Sequence, residues 1–156
     1  MSMTLIQEQV LGSAAPSVTF GSIPQGYTDL VLEVVGSMTV TSNMQMRFNG
    51  DTGANYSRTQ IVGNGSSAVS SQATNESLIY VGSTAAGVVG LAFAEIFSYA
   101  NTGLFKTVLT RDAGGAGNVV QRANLWRSNV AITSILLFTD GTTFDANCIF
   151  RLWGIK

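Results

Sequence analysis

Histidine is absent from this sequence, cysteine occurs once, proline twice, and charged residues make up only 11% of it. Each shortage removes a class of function. Without imidazole the chain lacks the side chain that most often serves as general base or metal ligand at neutral pH. Ser-His-Asp and Cys-His nucleophile arrangements and histidine-ligated zinc are excluded. The single cysteine, Cys148, has no partner for a disulfide within the chain. It sits in an alternating apolar run where a small buried hydrophobe is expected, and a reducing compartment of synthesis goes with that. Eight basic residues stand singly against nine acids, for a net charge of −1. No basic stripe exists to displace counterions from phosphates, so nucleic acid is not an expected partner. No apolar run reaches the roughly 20 residues of a membrane span. The nearest, residues 82–97, is interrupted by Ser83, Thr84, Glu95 and glycines, so no membrane is an expected partner. Met1-Ser2-Met3-Thr4 leads into Leu5–Val10 without the basic and continuous apolar regions of a secretory signal. The acids are mostly isolated along the chain. A carboxylate pair could still meet in space, as glycoside hydrolysis requires, but the expectation is a protein without catalytic residues, cofactor or metal.

What the chain does have is strand texture. Residues 119–156 read as three strands in a row: 119–127, then Ile132–Thr139, then Asn147–Ile155 after Asp140-Gly141. β-Branched and aromatic residues broken by Asp-Gly and Asn suit antiparallel pairing. Earlier, Thr4–Val10 and Ser17–Phe20 read as strands, with a corner at Ile23-Pro24-Gln25-Gly26-Tyr27. In Asp29–Val35, Leu30, Leu32 and Val34 share one face and Val31 and Val35 flank Glu33 on the other. Both faces of that strand are expected to be largely covered. Met44–Asn49 alternates Met44, Met46 and Phe48 inward with Gln45, Arg47 and Asn49 outward. Residues 50–75 are expected to be rich in loops, with one strand near Ser57–Val62 and exposed polar stretches at 63–67 and 70–72. Strands resume at Ser77–Val81, Leu91–Ser98 and Phe105–Thr110, and Asp112–Asn118 reads as a loop almost without side chains. About ten or eleven short strands and no 3.6-residue stripe predict an all-β fold: one antiparallel, jelly-roll-like β-sandwich domain over residues 1–156. A chain of this size buries roughly 70% of its unfolded surface and needs no staple.

The most motif-like string is Asn49-Gly50-Asp51-Thr52-Gly53-Ala54-Asn55-Tyr56. It offers oxygens to calcium or a sugar, but lacks the carboxylate density and closing glutamate of a calcium loop. The competing reading is a strand-ending turn fixed by Asn and Asp bonding to nearby backbone. Tyr56 is either a sugar-stacking ring or a half-buried tyrosine with a wet hydroxyl. Trp126 and Trp153, close to Arg127 and Arg151, are either platforms or packing residues. Asn49, Asp51, Asn55, Tyr56 and Trp126 are therefore the candidates for glycan binding, with Tyr80 and Trp153 as further exposed aromatics.

A neutral surface of Ser, Thr, Asn, Gln and Gly suits a subunit that hides much of its exterior against other subunits. Several strings also resemble a known group. Leu5–Ser13, Ser17-Val18-Thr19-Phe20 and Ile23–Leu30 resemble the opening of a widespread group of small structural proteins of tailed bacteriophages. Arg47–Tyr56, Gly63-Asn64-Gly65 and the ending Leu152-Trp153-Gly154-Ile155-Lys156 are similar too. The resemblance implies a virion component, made in the host cytoplasm and resident on the particle. The leading expectation is a homotrimeric capsid decoration or cement protein partnered by the major capsid protein or other virion proteins. The alternative is a viral tail protein, a fibre or receptor-binding module that recognises host glycans. No site residues travel with the resemblance. Assembly contacts are expected in the N-terminal segment, residues 1–9, through Met1, Ser2, Met3, Thr4 and Leu5. The others are expected in two loops, through Asn64 and Ser66 and through Gly114 and Gly115.

Overall fold

The structure is a computed structural model that describes residues 2–114 and 117–156, so Met1 and Gly115 of the expected contacts lie outside the described residues. The described residues form twelve strands and no helix. They are β1 (Met3–Val10), β2 (Ser17–Phe20), β3 (Asp29–Gly36), β4 (Ser42–Phe48), β5 (Tyr56–Gly63) and β6 (Ala68–Glu76). Then come β7 (Ile79–Thr84), β8 (Gly90–Ile96), β9 (Lys106–Gly114), β10 (Asn118–Trp126), β11 (Ile135–Thr139) and β12 (Ile149–Ile155).

Period-two alternation decides which face of each strand is buried. Leu30, Leu32 and Val34 of β3 line up across β12 with Phe150 and Leu152, and across β8 with Ala92, Ala94 and Ile96. All are buried, and Phe20, Met46, Phe48, Ile79, Ile135 and Leu137 of the opposing sheet join them in one core. Each large side chain buried this way contributes about 1.5–3 kcal/mol, so the inward rows hold the layers together.

The strands form an eight-stranded sheet, β1-β12-β3-β8-β9-β10-β5-β6, over a four-stranded one, β2-β11-β4-β7. Every strand pairing is antiparallel. The fold is thus an all-β sandwich. With β5, β6, β9 and β10 set aside, successive strands alternate between the sheets along the chain except at β4 and β7, which pair with each other in the smaller sheet. The other four enter as two hairpins at one end of the large sheet and widen it from four strands to eight. Strand β7 lies close over this extension. A Cβ added to Gly82 would stand 2.8 Å from the Ala92 Cβ and 3.0 Å from the Asp112 Cβ, so glycine is needed there.

Several expectations are corrected. Residues 50–75 are not mainly loop: β5 pairs with the nine-residue β6, which runs through the stretch expected to be irregular. β6 is an edge strand held by backbone bonds to one neighbour, so its sequence carries no apolar alternation. The 112–118 loop is shorter than expected, because Asp112 belongs to β9 and is buried. Gln45, expected to be exposed, is buried, although Met44, Met46 and Phe48 keep the inward alternation of β4; the register slip against β7 beside it has Val81 as its extra residue. The strand expected over Thr4–Val10 is present as β1, paired to β12 with a register shift at Ile6, so residues 3–9 of the expected contact segment lie within the sheet.

Candidate functional site

The string at 49–56 folds as the turn its residue types favour. Asn49 and Gly50 both take positive φ (52° and 69°), and the Asp51 N–H donates to the Phe48 carbonyl at 2.9 Å. This is a two-residue reversal of the primed type. The Asn49 side-chain oxygen then accepts from the N–H groups of Thr133 (2.9 Å) and Ser134 (3.1 Å). Its amide donates to the Ala131 carbonyl at 2.9 Å. Asn49 therefore sews this turn to the segment entering β11.

Asp51 is the hub beside it. Its carboxylate accepts from Trp126 Nε1 at 2.7 Å, Asn55 Nδ2 at 3.0 Å and the Gly53 N–H at 2.8 Å. Burial acts to raise its pKa, but the bonds from Trp126, Asn55 and Gly53 outweigh burial and hold the carboxyl below its ordinary value. Tyr56 and Trp126 stack at 6.2 Å with an interplanar angle of 16°, and Phe48 meets Trp126 at 5.4 Å. Tyr56 is 0% exposed and Trp126 2%. The Tyr56 hydroxyl donates to the Asp51 carbonyl and accepts from the Phe48 N–H at 3.2 Å. Burial pushes that phenol up to about 12. The five glycan candidates do come together, but as an internal clasp. Neither ring is a platform for a sugar, because β5 and β10 turn both toward the core. Tyr80 is half-buried under the Arg58 guanidinium, 4.4 Å from its ring centroid. Trp153 is half-buried and donates to Glu33 at 3.3 Å.

The expected assembly contacts lie apart. Ser2 is bonded both ways to Lys156 at 3.0 Å, while Met3, Thr4 and Leu5 are exposed on the edge strand β1. Asn64 and Ser66 form the exposed tip of the β5–β6 hairpin, where the Asn64 side chain accepts from the Ser66 and Ser67 N–H groups. Gly114 ends β9, opposite Asn118.

Sequence reasoning did not find a set of buried polar groups between β7 and the extension. Arg122 Nη1 donates to Asp112 Oδ1 at 2.7 Å with both side chains buried, and Asp112 Oδ2 accepts from the Ser83 N–H at 3.1 Å. Thr110 donates to the Tyr80 carbonyl at 3.0 Å. Lys106 is fully buried; its ammonium donates to the carbonyls of Asn101 and Leu104, and burial lowers its pKa. Cys148 is buried against the Ser37 carbonyl at 3.2 Å, and burial raises its thiol pKa. These groups bond to one another or to backbone. Among the described residues, no three Cys, Asp or Glu side chains gather as a metal site would require.

The remaining feature is the outer face of the eight-stranded sheet. Five shallow hollows open on it, four of about 210–300 Å³ and one of about 20 Å³. The largest is floored by Ala123 and Leu125 and rimmed by Ser57, Thr59, Gln72 and Thr107. A second, apolar one is lined by Leu91, Phe93, Ala113 and Val119. The charges on the face are already paired: Arg151 with Glu8 (2.6 Å) and Glu33 (3.4 Å), Arg111 with Glu95 (2.9 Å). The sequence carried one sign of this surface. Val31 and Val35 made β3 apolar on both sides, yet no part of the described chain covers them. No protein-family model, curated protein or solved structure matches the chain.

Proposed function

We propose that this chain is a structural protein of a bacteriophage virion, a capsid decoration or cement protein that docks on the head lattice as a homo-oligomer. The observation that carries the reading is the wide outer face of the large sheet: apolar rows, internally paired charges and shallow relief. Such a surface supplies adhesive area, and its arginines are engaged in ion pairs within the fold. We read the order β1-β12-β3-β8 facing β2-β11-β4-β7 as a jelly roll carrying two inserted hairpins, a rigid frame suited to bridging shell subunits. Burial added across a subunit boundary must be undone before the subunits separate, which is how a clip resists internal pressure.

A tail module that binds host glycans is the second reading. The hollow rimmed by Ser57, Thr59, Gln72 and Thr107 favours it, because none of these four side chains is hydrogen-bonded among the described residues. Electron microscopy of purified particles separates the two. Density spread over the head lattice is expected. Density confined to the tail tip, or saturable binding on a glycan array lost in Gln72→Ala, selects the second reading, and absence from the particle overturns both.

A further inference from the structure

The two sheets end in four edge strands, β1, β6, β2 and β7. An edge offers unpaired backbone groups to any strand that meets it, and three of these edges are blunted. Along β2 the Thr19 and Gly21 carbonyls accept from the side chains of Gln9 (2.7 Å) and Gln7 (3.0 Å). Along β7 the Tyr80 carbonyl accepts from Thr110 (3.0 Å), and the Ser83 N–H donates to Asp112 (3.1 Å). On β1 the register shifts at Ile6, and the charged Glu8 stands exposed beyond it. On β6 the run Ala68–Ala73 is regular and exposed but for Ala73. Its irregularity falls later, where residues 74 and 75 face Ser57 alone and Asn75 takes a φ of 58°. Residues 64–75 contain no charge and no proline. Among the described residues, the side-chain bonds of β6 involve Ser71, Asn75 and Glu76 and leave its backbone free.

The register shows which backbone groups point outward. The Asn64 N–H donates to the Ser67 carbonyl at 3.2 Å, so Gly63 and Ala68 face each other without mutual hydrogen bonds. By alternation Ala68, Ser70 and Gln72 turn both backbone groups away from β5. We propose that this edge pairs with the β6 edge of a second copy, antiparallel about a two-fold axis through Ser70. Three features single out that occupant. Centred on Ser70, Ala68 faces Gln72 of the second copy and Ser70 faces Ser70, so each facing pair exchanges both its N–H···O bonds. The two larger side chains of the segment each meet a small one, Val69 against Ser71 and Gln72 against Ala68. Only a second copy brings this matching sequence to the edge. A two-fold axis also sets each residue near its own duplicate, and the neutral segment avoids the like-charge opposition that this would impose. With the other edges blunted, the pairing is isologous and closes at two chains.

The test uses the purified full chain and light scattering coupled to size exclusion, at tens of micromolar. The expected mass is two chains, falling to one in Ser70→Pro and in Ser70→Lys. Proline removes an N–H that faces away from β5, a change an edge strand tolerates. Lysine sets two charges directly opposite each other. Near-ultraviolet circular dichroism equal to wild type shows that each variant is folded. Thr19→Lys, on the outer face of the four-stranded sheet, keeps the wild-type mass. The register has its own readout. Ser70→Cys sets facing thiols on Cα atoms about 5.5 Å apart, within disulfide reach, so mild oxidation gives a covalent dimer. Ser71→Cys sets them on a diagonal of about 7–8 Å, and it stays uncrosslinked. Cys148 is buried and does not compete. A wild-type mass other than two chains, or a dimer that survives both substitutions at Ser70, overturns the proposal. So does cross-linking no faster in Ser70→Cys than in Ser71→Cys. No phage particle enters the experiment, so this pairing and the virion reading fail independently.

Discussion

At Asp51 one carboxylate takes three donors from two segments of chain far apart in sequence, Gly53 and Asn55 on its own turn and Trp126 on β10. Hydrogen bonds to an ionised group are each worth about 1.5–3 kcal/mol. Asp51→Asn keeps the shape but loses the charge, so it should lower stability by about 1–3 kcal/mol at pH 7, measured by urea denaturation. The pH dependence has a fixed sign. The folded-state pKa lies below the unfolded value, near 3.9, so the contribution is complete above that value and fades as pH falls through the depressed one. Wild type and Asp51→Asn should therefore converge in stability as the pH is taken down toward 3. A gap that stays constant with pH would mean the carboxylate's charge contributes nothing. The same residues show where sequence reading stops. Asn, Gly and Asp specify a turn by their own backbone preferences, and that much was legible. Whether Tyr56 and Trp126 face inward depends on the parity of β5 and β10 against the core, which neighbouring Asn and Asp residues do not reveal.

Among the elements, β9 and β10 are fastened from both sides, by β8 in the sheet and by β7 above. The Arg122–Asp112 pair sits in that seam with Ser83 satisfying the second carboxylate oxygen. Removing one member of a buried pair leaves the other uncompensated, a cost of about 3–5 kcal/mol. Asp112→Ala should lose that much in denaturant unfolding, and Asp112→Leu combined with Arg122→Met should recover most of it. If the double variant is no better than the single, the pair is not the source of the loss. By contrast, β6 has one neighbour and exposed side chains along most of its length. In native-state hydrogen exchange of the unpaired chain its outward amides should exchange first among the strands, while β3 and β12 amides persist to the global limit. Protection of β6 equal to β3 would show that its free edge is covered in solution. Core strands with clean alternation, such as β2 and β3, were readable from sequence because burial writes the pattern. β6 was not, because only backbone pairing makes it a strand.

For the molecule as a whole, the sandwich class was legible from turn spacing and strand texture, but the widening of one sheet to eight strands was not. That depends on β5–β6 and β9–β10 joining the same edge, a long-range choice invisible to local pattern. The expected contact segments also change meaning at this scale. Met3 and Leu5 belong to one end of a continuous face, whereas Asn64 and Ser66 stand at a hairpin tip off the face's plane of rows.

The pairing of Ser2 with Lys156 has a mechanical consequence. Residues 2 and 156 meet at one corner of β1 and β12, which run antiparallel away from it. Tension applied between those residues would peel the ladder open one rung at a time, the weakest way to load a sheet. A load applied broadside to the sheet would instead be spread over many side chains at once, and separation would then require all the contacts to yield together.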